Sequence, residues 1–361
     1  MFKKVFSLSL VLLLALAALA GCGNTGQNNS ASENQTEEKQ ETQEPGEVNL
    51  YTSRHYESDV ELYKIFEEET GIKVNVVEGK GDELLERLNM EGESTEADLF
   101  FTADAGNLHT AKESGLFQTV ESKIIEENIP EKLRDEDDQW FGMAKRARVL
   151  VYSKDRVKPE ELSTYEALAE PQWKGRVVAR PSENMYNISL LSSLIEVNGE
   201  EDAKAWAKGF AENMAREPQG NDRDQAKAVA AGEADVAIMN TYYIGLMLNS
   251  EDAEEVKVAE NVGVFFPNQE TTGTHINVSG IAVTKHAKNA ENAVKFIEFL
   301  SSEKAQGRFA EVNYEYPANP NVETAELLKS WGDFKEQDIS LSVLGKNQQQ
   351  AIKLFNEAGW K

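Results

Sequence analysis

Cysteine is all but missing from this chain. Cys22 is the single one in 361 residues, so no internal disulfide framework can hold the fold. Cationic side chains are also scarce. The 37 Lys and Arg face 63 Asp and Glu, a formal net charge of -26; such a surface repels nucleic-acid phosphates, excludes that class of partner and suits a soluble extracellular protein. Histidine is limited to His55, His109, His275 and His286, with no two at the spacing of a helical metal site. Neither a Gly-x-x-x-x-Gly-Lys phosphate cradle nor a Gly-x-Ser-x-Gly elbow occurs, and Gly79-Lys80-Gly81 alone is a weak phosphate signal. No enzyme is expected from this inventory. After Ala20 no stretch is apolar for long enough to cross a membrane as a helix.

What the beginning does contain is an export signal. Met1-Phe2-Lys3-Lys4 is basic, and Val5 to Ala20 is an apolar run that ends in small residues. Leu19-Ala20-Gly21-Cys22 resembles the bacterial lipobox, in which the cysteine is lipidated and becomes the new N-terminus. This implies a signal peptide over 1–21 and a lipid anchor at Cys22, on the outer face of the cytoplasmic membrane. Residues 22–46 are dominated by Asn, Ser, Thr, Gln, Glu and Gly. They cannot bury enough apolar surface to offset ordering entropy, so the segment reads as a tether.

Beyond the tether about 315 residues remain, more than one hydrophobic core usually organises, so two lobes are expected. From Val48 short β-rich runs alternate with helical ones. Val48 to Tyr51 reads as a strand, and Ser58 to Glu69 as a helix with the capping box Ser58-Asp59-Val60-Glu61 and a stop at Gly71. Ile72 to Val77 and Ala97 to Phe101 read as further strands, with a helix over Asp82 to Met90 between them. A second series of this kind begins near Arg148, with strands at Val149 to Tyr152, Val177 to Ala179 and Ala234 to Met239. Val264 to Phe266 and Ile281 to Thr284 read as strands returning to the first lobe. The rhythm predicts an α/β fold of two lobes, each a mostly parallel sheet with helices on both faces, joined by crossing strands around a ligand cleft. The expected boundaries are 47–147 for the first part of lobe 1, 148–270 for lobe 2 and 271–320 for the return to lobe 1. Helices over 321–361 are left unassigned between the lobes.

Polar aromatics cluster where that reading puts loops at strand ends. His55 and Tyr56 follow the first strand, Tyr186 follows the Val177 strand, and Tyr242-Tyr243 follow Ala234 to Met239. Carboxyl ends of strands are where open α/β sheets bind ligands. Adjacent tyrosines point about 100° apart along a helix, so both reach one ligand only at a helix start. Tyr51, Tyr63, Tyr152 and Tyr165 read instead as packing residues with satisfied hydroxyls.

The stretches Tyr51 to Tyr56, Lys145 to Arg148, Tyr186-Asn187, Asp235 to Tyr243 and Gly263 to Gly280 resemble the ferric-iron-binding proteins of bacterial ABC importers, within the type II periplasmic-binding-protein class. The resemblance runs from Val48 to about Pro320. It implies Fe3+ as the transported ligand, held by His55, Tyr56, Tyr186, Tyr242 and Tyr243. It also implies an arginine beside the phenolates, matched best by Arg146, with Arg148 as the residue that could instead complete a strand-edge salt bridge. A small synergistic anion such as carbonate could join the shell. Implied partners are a permease and its ATPase, with the binding protein a monomer. Phenolate oxygen suits a small, hard, trivalent cation. Two alternatives stay open: the same fold holding a sugar or a thiamine-like cation between tyrosine rings, and an extracellular enzyme with an unusual metal site.

Overall fold

The computed structural model describes residues 46–361; the signal peptide, Cys22 and all but the end of the tether lie outside the described residues. Nine strands form one continuous sheet: β1 (Glu47–Thr52), β2 (Lys73–Glu78), β3 (Leu99–Thr102), β4 (Phe141–Ser153), β5 (Val177–Val178), β6 (Val236–Asn240), β7 (Val262–Phe265), β8 (Ile276–Val283) and β9 (Tyr316–Pro317). Their order is β2-β1-β3-β8-β4-β6-β5, with β7 and β9 also paired to β4. The parallel pairing expected from the βαβ rhythm is confined to the two ends, β2-β1-β3 and β5-β6. Between them β8 and β4 run antiparallel to their neighbours. Crossing strands must enter one half from the other, so they cannot share the direction that βαβ units impose.

The 13-residue β4 is the main crossing element. Phe141 to Ala147 pair with β8, while Arg148 to Tyr152 pair with β6. All but Lys145 and Tyr152 are buried along it, including Arg146 and Arg148. One hydrophobic cluster unites residues from 48 to 144 with residues from 276 to 344, among them Leu50, Phe66, Phe100, Ile281 and Phe296. Two others fill the remaining half, one around Trp173, Trp206 and Phe210, the other around Val149, Met239 and Met247. The C-terminal segment divides between them. Leu341 and Leu344 join the first cluster, whereas Leu354, Phe355 and Trp360 complete the second.

Local chemistry moves one boundary. The first helix spans Glu57–Thr70, with Tyr56 at its N-cap and no side-chain cap. The anticipated capping box is not made, because the helix already starts at Glu57, which places Ser58 inside its first turn, and Glu61 turns outward to Arg308; Asp59 pairs with Arg54 at 2.9 Å. The Ser58 hydroxyl is left buried without a partner. Acidic Glu57 and Asp59 in the first turn complement the helix dipole instead. The other end follows expectation, with Gly71 at φ 72° supplying the left-handed cap. Tyr51, Tyr63 and Tyr165 are buried, Tyr51 and Tyr165 with bonded hydroxyls and Tyr63 without; Tyr152 is half-buried against the second cluster.

Candidate metal centre

Three helix starts bring the tyrosines together. Tyr56 caps the helix after β1. Tyr186 is the second residue of the helix Met185–Asn198, where the Asn184 side chain accepts its backbone N–H at 3.1 Å. Tyr242 and Tyr243 occupy the first turn of the helix Thr241–Leu248, directly after β6. The Tyr242 hydroxyl is the hub: it lies 3.2 Å from that of Tyr56 and 3.1 Å from that of Tyr186. The Tyr243 ring stacks on Tyr242, centroids 4.3 Å apart, so the helix start turns both rings to one side. His55 stacks on Tyr56 at 5.1 Å and is exposed. A cleft of about 450 Å³ opens beside them, lined among others by His55, Tyr56, Tyr243, Asn221 and Arg223. No group of three or more His, Cys, Asp or Glu among the described residues could hold a metal ion, so the phenols are the oxygen donors gathered at one point.

The surroundings keep Tyr56, Tyr242 and Tyr243 protonated until something ionises them. Burial holds Tyr56 well above the ordinary phenol range, reinforced by Tyr186 and Glu315 and opposed by Arg54. Tyr56 is half-buried as a residue, but its hydroxyl abuts Tyr242, which is 1% exposed. Tyr242 is likewise pushed far up by burial and then by Tyr186 and Tyr243. Burial raises Tyr243 as well, with Tyr186 and Asp222 adding to it. Three guanidiniums flank the Tyr186 ring: Arg180 at 5.3 Å, Arg146 at 5.4 Å and Arg148 at 5.7 Å from its centroid. Two of the three share a single carboxylate. Arg148 pairs with Asp222 at 3.0 Å, as its alternative role required, and Arg180 reaches the same carboxylate at 3.7 Å. Arg146 has no carboxylate partner among the described residues; it donates to the Ala103 carbonyl and to the Ser279 hydroxyl at 3.5 Å. It is therefore a buried cation able to compensate an excess anionic charge beside Tyr186.

Residues 61–336 match the sequence profile of the bacterial extracellular solute-binding proteins. The chain belongs to that family. Iron uptake protein A1 of Synechocystis is 57% identical over 318 residues, which span 88% of this chain and 88% of that one. Among solved structures, a Trichodesmium protein in complex with iron and citrate ligands is 50% identical with a TM-score of 0.84, over 88% of this chain and all of that one. The ferric binding protein from Campylobacter jejuni is 47% identical, TM-score 0.84, over 87% of this chain and all of that one. The fold of this solute-binding protein is the two-lobed type II periplasmic-binding-protein fold, and the protein is a binder, not an enzyme.

Several residues that support the centre of this solute-binding protein were not singled out from its sequence. Arg54, 1% exposed, spans Asp59 and Glu315, each at 2.9 Å, and its guanidinium sits 4.9 Å from the Tyr56 ring centroid. Glu315 is 261 positions away in sequence, so no local pattern announces it. Arg180 could have been noticed, since it lies two residues past β5 on the segment that leads to Tyr186. Asp104 caps the helix Ala105–Glu113 and also accepts bonds from the Ser189 hydroxyl at 2.6 Å and the Asn277 amide at 2.7 Å. Ser189 lies one helical turn after Tyr186, so this bond ties the Tyr186 helix to the opposite half. His275, buried near Arg146 and Arg148, is driven down to about 3 by burial first and then by those cations, and stays neutral.

Proposed function

We propose that this protein captures ferric iron outside the cell and delivers it to an ABC importer. The observation that carries the reading is a cluster of phenol hydroxyls around Tyr242 beside one guanidinium without a carboxylate. The iron-uptake name of the Synechocystis relative and the iron and citrate of the Trichodesmium structure support it. In this reading Tyr56, Tyr186, Tyr242 and Tyr243 bind as phenolates and His55 supplies a neutral imidazole. Four phenolates on a trivalent ion leave one negative charge in excess, which Arg146 balances. An anion such as carbonate or citrate fills any position left open.

The chemistry also selects the oxidation state. Ionising a phenol of ordinary pKa at pH 7 costs about 4 kcal/mol, and burial raises that cost here. A trivalent cation offers far more attraction against the same cost than a divalent one. Ferrous iron is therefore bound much more weakly. Lobe 1 is assigned 47–147 and 271–320, and lobe 2 is assigned 148–270, with the C-terminal helices bridging both. His55 and Tyr56 come from the first and the other three ligands from the second, so the shell is complete only when the lobes are closed. A permease and its ATPase read that closure, and a lipid on Cys22 keeps the monomeric protein beside them at the membrane.

The deciding experiment is a visible absorption spectrum of the purified protein with ferric iron added and then removed by a chelator. Phenolate-to-iron charge transfer gives a coloured protein that bleaches reversibly. A colourless protein under iron saturation refutes the tyrosine site. Cys22→Ser is expected to release the protein or leave it unprocessed; unchanged detergent partitioning with no acyl mass on Cys22 would refute the anchor.

A further inference from the structure

The helix that presents Tyr242 and Tyr243 meets the opposite half of the molecule one turn later, at Gly245. A Cβ built on Gly245 would lie 2.5 Å from the Cβ of Tyr314, 2.6 Å from its Cγ and 3.1 Å from its Cδ2. No real pair of side chains sits that close, so the two backbones approach only because position 245 has no side chain. Ile244 and Met247 root this helix in the cluster around Met239, and the helix Glu303–Asn313 that ends at Tyr314 is rooted through Phe309 in the other. The contact is thus made between halves.

Tyr314 is itself unusual. It caps its helix in the left-handed region, φ 52° and ψ 36°, where bulky residues are rarely found. The next residue, Glu315, is the one that holds Arg54 beneath Tyr56. One side of the contact therefore leads in three residues back to Tyr242, and the other leads through a buried ion pair to Tyr56. These are the two hydroxyls 3.2 Å apart at the centre of the cluster.

We infer that Gly245 against Tyr314 is the steric stop that sets how far the two halves close, and hence whether Tyr56 and Tyr242 reach one ligand together. The inference rests on the ferric reading above. A methyl group at 245 makes the halves meet early, leaving the Tyr56 hydroxyl short of the shared point while each half stays folded. Apparent affinity then falls by the fraction of molecules that can still close.

The test uses Gly245→Ala, Tyr314→Gly and the double variant in the full protein. Ferric nitrilotriacetate is the iron source, the visible charge-transfer band reports binding, and solution scattering reports compaction. Gly245→Ala is expected to melt like the wild type without iron, to bind ferric iron at least about tenfold more weakly and to compact less when loaded. Tyr314→Gly accepts its backbone conformation without strain; with the stop gone it is expected to compact at least as far as the wild type when loaded, and a loaded variant that compacts less would overturn the inference. Combined with Gly245→Ala it restores binding and compaction, because the obstructing side chain is gone. A Gly245→Ala protein that binds within about twofold of wild type and compacts equally would overturn the inference while leaving the ferric reading intact. So would an apo Gly245→Ala protein that fails to fold, since the contact would then belong to the resting structure, and so would a double variant that stays weak. A wild type with neither band nor compaction overturns both.

Discussion

Replacing Tyr242 with Phe keeps the ring and removes the oxygen at the hub of the cluster, and the consequence can be worked out as a count of protons. Tyr56, Tyr242 and Tyr243 are all pushed up by burial, so each is protonated in the iron-free protein at neutral pH and must release its proton when the metal enters. Each release makes binding stronger with rising pH by about 1.4 kcal/mol per unit. For these three the dependence is about 4 kcal/mol per unit, an affinity about a thousandfold lower at pH 6 than at pH 7 after correction for the chelator and for ferric hydrolysis. Tyr242→Phe removes one of these protons, so the variant's affinity changes with pH by a factor about tenfold smaller per unit than the wild type's. At fixed pH the variant also loses a donor, which should weaken iron by more than the about 10- to 100-fold typical of outer-shell changes. The iron-free fold loses two hydrogen bonds, at 3.2 and 3.1 Å, worth about 1–3 kcal/mol together. Titration with ferric nitrilotriacetate across this pH range measures slope and affinity together. A variant whose affinity has the wild-type pH slope refutes the assignment of Tyr242 as a phenolate ligand, whatever its absolute affinity.

Other expected outcomes follow from the supporting residues. Arg54→Met strands Asp59 and Glu315 in the interior and should cost about 3–5 kcal/mol in a urea melt; a loss below about 1 kcal/mol would mean that the triad is not holding Tyr56 in place. Ser189→Ala removes the bond to Asp104, which keeps its contacts to Asn107 and Asn277, so melting of the iron-free protein should shift by about 0.5–1.5 kcal/mol at most, with iron dissociating faster; unchanged dissociation in stopped flow would remove the bond from the closed state. Alkaline pH should destabilise the iron-free fold. Burial raises Tyr56, Tyr63, Tyr165, Tyr242, Tyr243 and Tyr316 above the model-compound value of 10.0, so the unfolded chain ionises first; their contribution is complete below about pH 10 and is lost at about 1.4 kcal/mol per unit for each as pH climbs towards the folded values. Urea midpoints that stay flat above that pH would contradict it.

The five residues at strand ends were legible in the sequence because β1, β5 and β6 are short, mostly buried runs followed by helix starts, and the segments after them carry polar aromatics. Local punctuation was legible too: Gly71 stops its helix with the positive φ its place predicts. What stayed hidden is what the three-dimensional path brings together. The antiparallel centre of the sheet depends on β8 returning between β3 and β4, and the alternation of strands and helices carries no mark of that return. The Ser58 capping box was a sound local motif that failed because the helix starts earlier, at Glu57, and Glu61 goes to Arg308, 247 positions away. Arg146 and Arg148 look alike two positions apart on β4. Only Asp222, 74 residues from Arg148, separates the one paired with a carboxylate from the one without.

The division of the two cores along the chain has a consequence for the order in which the protein can be built. The first core needs residues up to 144 and again from 276 to 344, and the second is sealed by Leu354, Phe355 and Trp360 near the end. The Trp360 ring stacks on Phe210 at 4.7 Å, and its indole N–H is bonded to the Arg180 carbonyl at 3.0 Å, on the strand end that leads to Tyr186. Neither core can close on a chain that is still emerging, because each waits for partners from the last third of the sequence. Such long-range pairing makes folding slow, so neither of these cores is complete until the stretch from 276 to 360 has joined. The tyrosine cluster, which draws Tyr56 from one half and Tyr186 and Tyr242 from the other, is assembled late for the same reason.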